Sequence, residues 1–63
     1  MNTDDLGEVL FEFRRVGAMV RVTAIHAATG TEIVLAGAAS AGDYALKLAA
    51  MRKLVYVLEK REG

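Results

Sequence analysis

The side chains that could do chemistry in this chain fall in a few places. The single histidine, His26, precedes Glu32 by six positions, with Thr29 and Thr31 between them. An imidazole and a carboxylate facing each other across a tight hairpin would form an acid–base pair. Such a pair needs a reacting group beside it, and Thr29 and Thr31 are better explained as turn residues. His26 therefore reads as a partly exposed polar residue at a strand end, and no catalytic residue is assigned. A pH-sensitive contact is the other use an isolated histidine suggests.

Arg14, Arg15 and Arg21 cluster within one stretch and could contact phosphates. Glu8, Glu12 and Glu32 share that region and would repel a nucleic-acid backbone. A solvated sheet face, with Arg21 paired to Glu12 across a hairpin, explains the same residues. The run Ala36-Gly37-Ala38-Ala39-Ser40-Ala41-Gly42 leads into a helix start, a context that can bind phosphate. It contains neither G-x-G-x-x-G nor Gly-Lys-Ser/Thr, so it reads as a small-residue crossing. Lys47, Arg52, Lys53, Lys60 and Arg61 make the C-terminal segment basic. They are spread around a helix, whereas a membrane-surface helix gathers its charge on one face.

Composition narrows the classes further. The chain has 63 residues, no cysteine and one histidine, so disulfides and an all-protein zinc site are not expected and no cofactor is implied. Eight basic and eight acidic residues cancel, which removes the global field of a dedicated nucleic-acid binder. The apolar fraction is 54%, yet charges interrupt every run short of a membrane span. The acidic start Met1-Asn2-Thr3-Asp4-Asp5 lacks a signal peptide's basic and apolar regions, so a cytoplasmic protein is expected. A domain this small needs support, and oligomerisation is what remains.

These residues must be held by a few elements. Residues 1–6 read as a frayed polar start. From Glu8 the chain alternates, with Val9, Phe11 and Phe13 on one side and Leu10, Glu12 and Arg14 on the other. Alternation resumes after Gly17 with Val20, Val22 and Ala24. A two-residue turn at Val16-Gly17 would place Glu12 opposite Arg21 and Phe13 opposite Val20, although Val16 suits such a turn poorly. The next turn, Ala27 to Thr31, suggests a type I turn with a glycine bulge at Gly30. With the bulge, Val34 and Ala36 turn under the helix; without it, Ile33 and Leu35 do. The bulged register is favoured. Ser40 with Asp43 resembles a helix start, and the helix runs to about Lys60.

The expected fold is α+β: a three-stranded antiparallel β-meander (residues 7–38) followed by one C-terminal helix (residues 42–60) packed on one face, in a single domain of residues 1–63. Strands are placed near 8–15, 18–27 and 31–38. The segments Phe11 to Arg14, Val20 to Ile25, Ala28-Thr29-Gly30-Thr31-Glu32, Leu48-Ala49 and Arg52 to Leu58 resemble a family of short, uncharacterised alphaproteobacterial proteins. The likeness spans about Gly7 to Arg61 and implies a bacterial protein with a domain of unknown function. It brings no functional residue. A looser, architectural likeness is to sheet-reading DNA-binding domains of plant and phage-integrase type, which use arginines and tryptophans on the exposed sheet face; this chain has no Trp.

The helix carries two apolar stripes, more than one small core requires. The first is Tyr44, Leu48, Met51, Val55 and Leu58; the second is Leu46, Ala50, Leu54 and Val57. The core is expected from Phe11, Phe13, Val20, Val22, Leu48, Met51 and Val55. The surplus predicts a homo-oligomer, in the simplest case a dimer. Its contact would be Leu46, Ala50, Leu54 and Val57, with Leu10, Ile25, Ile33 and Leu35 on the outer sheet face as the alternative or second surface. The expected function is a non-catalytic protein-interaction or assembly module. The alternative is a sheet-based nucleic-acid-binding module using Arg14, Arg15 and Arg21.

Overall fold

Period-two patterning and glycine punctuation give three strands in the computed structural model, which describes residues 6–62. They are β1 (Val9–Val16), β2 (Met19–His26) and β3 (Thr31–Ala38), followed by a 3₁₀ turn (Ala39–Ala41) and the helix α1 (Asp43–Glu62). The strands pair antiparallel in the order β1-β2-β3. The expected β-β-β-α architecture is therefore the observed one.

The first hairpin turns at Gly17-Ala18, not at Val16-Gly17. Gly17 has φ +61° and no non-glycine residue among those described has positive φ, so the glycine must take the first central position. The register moves accordingly. Phe13 pairs with Val22 and Phe11 with Ala24, while Glu12 faces Thr23 and Arg14 faces Arg21. The faces keep the expected parity, but the Glu12–Arg21 pair is replaced by two arginines side by side.

The second hairpin corrects the expected bulge. His26 pairs directly with Thr31 across a four-residue loop, and the Gly30 amide bonds the His26 carbonyl at 2.8 Å. Gly30 has φ +72°, so this loop also needs its glycine, and no extra residue enters the ladder. Thr31, Ile33, Leu35 and Gly37 consequently share the inner face, and Val34 and Ala36 point outward.

The helix begins after Gly42, whose carbonyl accepts the Leu46 amide at 3.2 Å. Ser40 lies in the preceding 3₁₀ turn and does not cap α1. The inner-face residues Val20, Val22, Ala24 and Ile33 meet Leu46, Ala50, Leu54 and Leu58 from α1, with Leu6 closing one end. Leu6 is thus core, not part of a frayed start; residues 1–5 lie outside the described residues. At Gly37 an added Cβ would meet the end of the buried Leu46 side chain, which would have to move aside. The helix lies over β2 and β3 and hardly reaches β1.

The second helix stripe is therefore core and not a free surface, and of the first stripe only Leu58 is fully in that core. Leu46, Ala50 and Leu54 are buried within the single chain, and Val57 packs partly buried beside them. From the expected core, Phe13 is 38% exposed and Leu48 is 41% exposed; Phe11, Met51 and Val55 are only half-buried. The cause is geometric. Ala50, at the centre of the buried stripe, lets the helix backbone approach the sheet closely, whereas the Leu48–Val55 stripe turns toward the uncovered β1.

Candidate functional site

His26 lies on the inner face at the end of β2 and is only 7% exposed, not partly exposed as expected. Its Nε2 lies 2.7 Å from the Leu6 carbonyl, which can only accept, so this nitrogen carries a proton. Its Nδ1 lies 2.8 Å from the Thr29 hydroxyl. Thr29 and Thr31 share a hydroxyl–hydroxyl bond of 2.8 Å, and the Thr31 amide also donates to Thr29 at 3.3 Å. Arg61 completes the chain by donating from Nη1 to the Thr31 hydroxyl at 2.7 Å. The network ties the N-terminal segment, the second hairpin and the last turn of α1 together. Among the described residues no buried side-chain polar atom lacks a partner.

This geometry removes the His26–Glu32 pair. Glu32 sits opposite Ile25 on the outer face and is exposed, while His26 is on the inner face. Both imidazole nitrogens are already engaged. The Nε2 bond is buried and the Nδ1 bond part-buried, so the ring is held on both sides by the chain itself. Thr29 and Thr31 do more than shape the turn: they connect His26 to Arg61. The signal for this was the Thr-x-Thr spacing beside an inward-facing histidine. Arg61, 30 positions away from Thr31, has no local signature.

The three arginines do not converge. Arg14 and Arg21 are neighbours on the outer face, around a shallow depression of about 400 Å³ also lined by Val16, Met19 and Ala36. Arg15 projects from the other face and donates from Nε to the Gly17 carbonyl at 3.0 Å. Like charges directly opposite each other are unfavourable; on the same face Glu12 lies diagonally across from Arg21, opposite Thr23, and the two arginines would favour a further carboxylate. The outer face also holds Leu10, Val16, Met19 and Val34, all exposed, and Ile25, half-buried. Of the expected outer patch, Leu10 and Ile25 are on this face; Ile33 and Leu35 are under the helix.

The remaining apolar surface lies between α1 and β1. At 3.6 residues per turn, Lys53 and the Leu48–Val55 stripe fall on opposite flanks of the buried Ala50–Leu54 line. Lys53 donates from Nζ to the Val34 carbonyl at 2.7 Å, which marks its flank as the β3 side. The other flank, with Tyr44, Leu48, Met51 and Val55, therefore overlooks β1, where Phe11 and Phe13 form the floor. Lys47 partly screens Phe11, with its Nζ 5.1 Å from the ring centroid. Phe13 and Leu48 stay far more exposed than the core residues under the helix.

The chain matches the description of a domain of unknown function, DUF6898, over residues 6–61. It belongs to that family. No curated protein and no solved structure matches it. Family membership covers all three strands and nearly all of α1, so the His26 network and the β1 surface both lie within the family's domain. No group of metal-binding side chains occurs among the described residues. No helix among them is long and apolar enough to cross a membrane.

Proposed function

We propose that this domain is a small homo-oligomeric module that acts by protein–protein association and carries out no catalysis. The observation that carries the reading is the incomplete cover of the sheet. One helix lies over β2 and β3, leaving Phe13, Leu48 and Tyr44 exposed along β1. Clustered large apolar groups on a soluble surface favour association, because each gains roughly 1.5–3 kcal/mol when fully buried. The engagement of both His26 nitrogens supports a structural role for the histidine. A bacterial setting, in line with the family resemblance, and a cytoplasmic one belong to the same proposal.

The nucleic-acid alternative is weaker on this geometry, since Arg15 faces away from Arg14 and Arg21. The test of the main reading is denaturation at several chain concentrations. A homo-oligomer gains stability with concentration, so the urea midpoint should rise steadily across a hundredfold range. A concentration-independent midpoint would remove the reading.

A further inference from the structure

We infer that the partner on this surface is a second copy of the chain, joined edge to edge through β1 with Phe13 on the two-fold axis. The inference rests on the homo-oligomer reading and names its contact.

The sheet's two edges are treated differently. At β3, Lys53 reaches across and occupies the Val34 carbonyl. β1 has no such cover among the described residues. It is eight residues long and contains neither proline nor glycine. A long open edge of this kind is a template for another strand. The Ala27 amide bonds the Glu8 carbonyl at 3.1 Å, so in β1 the even-numbered residues turn their backbone groups toward β2. Val9, Phe11, Phe13 and Arg15 therefore present N–H and C=O groups to the open edge. An antiparallel copy can pair only odd residues with odd residues, which also keeps inner faces on the same side.

Charge then selects the register. With the axis on Glu12, or on Arg14, that residue meets its own copy. Arg15 on the axis does the same. Phe11 on the axis sets Arg14 opposite the partner's Glu8, but Glu8 lies outside β1 and the ladder within the strand shrinks to residues 9–13. With Phe13 on the axis no like charges meet. Glu12 faces the partner's Arg14, and Arg14 faces the partner's Glu12. Leu10 faces the partner's Val16, joining side chains that are 51% and 66% exposed in the single chain. Phe11 faces the partner's Arg15. A further carboxylate is thereby set directly opposite Arg14 by the second copy.

The result is one continuous sheet of twice three strands, with both helices on one face. The helices stand about four strand spacings apart, on the order of 19 Å. That exceeds the 8–10 Å of directly packed helices by about one layer of side chains. Phe11, Phe13 and their copies fill that layer, between walls formed by Leu48, Met51 and Val55.

The chain has no cysteine, so engineered cysteines report contacts cleanly. Glu12 and the partner's Arg14 form a non-hydrogen-bonded pair with Cα atoms ~4.5 Å apart, within disulfide range. Glu12→Cys and Arg14→Cys chains are prepared separately, mixed and oxidised. The mixture should form the mixed disulfide at least ~10-fold faster than either variant forms its own, because identical positions are diagonal neighbours at ~7–8 Å. In parallel, Glu12→Arg should weaken association roughly tenfold, and Glu12→Arg with Arg14→Glu should restore it. Equal cross-linking in all three samples, or none, from a wild type that sediments as an oligomer would overturn the β1 register and leave the homo-oligomer reading standing. A wild-type monomer would overturn both.

Discussion

Lys53 on α1 donates to the Val34 carbonyl on the open side of β3, at 2.7 Å. The contact lets the helix guard the edge nearest to it while the opposite edge stays available. The asymmetry follows from where the helix sits: over β2 and β3, its Lys53 reaches the backbone of β3, whereas Lys47 on the other flank meets the Phe11 ring of β1.

Removing that guard should change association more than stability. Lys53→Met leaves an exposed hydrogen bond unmade, which costs about 0.5–1.5 kcal/mol at most. The freed β3 edge should then permit pairing beyond the β1 contact. Light scattering should show species larger than those of the wild type. An unchanged size distribution would show that Lys53 does not protect the edge.

The assignment of the helix faces makes an opposed pair of expectations. Leu54 is fully buried, so Leu54→Ala should cost about 2–5 kcal/mol in urea unfolding. Tyr44 is 75% exposed, and Tyr44→Ala should leave the folded single chain nearly as stable, within about 0.5 kcal/mol. The reverse ranking would restore the Tyr44–Val55 stripe to the core.

The His26 network predicts coupling between distant segments. Thr31→Val removes the acceptor for Arg61 and the neighbour of Thr29. The expected loss is about 1–3 kcal/mol, the cost of leaving part-buried polar groups unpaired. Hydrogen exchange should quicken in the last turn of α1 as well as in the hairpin. Faster exchange confined to the hairpin would show that Arg61 does not depend on Thr31.

Gly37 tests the close approach of helix and sheet. Gly37→Val places a side chain where the Leu46 side chain lies, and overpacking of this kind costs about 1–3 kcal/mol. Gly37→Val together with Leu46→Ala should recover part of the loss. A double variant no better than Gly37→Val alone would remove Leu46 as the cause.

The architecture was legible because period two gives way to helical spacing after Gly37, and every strand bound fell within one residue of its expected place. The facing of β3 was less so. It depended on whether Gly30 closed a bulge or a plain four-residue loop, and both need a glycine at positive φ. The helix stripes were harder still. Hydrophobic size favoured the stripe with Met51 and Val55, but Ala50 allows closer contact with the sheet, a tertiary preference that periodicity does not report. Of the candidate contact residues, Leu10 and Ile25 were placed on the outer face correctly, while Leu46, Ala50, Leu54, Ile33 and Leu35 belong under the helix. The Leu6–His26–Thr29–Thr31–Arg61 chain links residues far apart in sequence, so only folding brings it into view.

The central claim, that this chain is completed by its own copy, is tested most directly by sedimentation equilibrium of the wild-type protein across a wide concentration range. The account predicts a species of twice the 6.8 kDa chain mass at tens of micromolar, dissociating on dilution. A folded monomer that persists unchanged at tens of micromolar would contradict it.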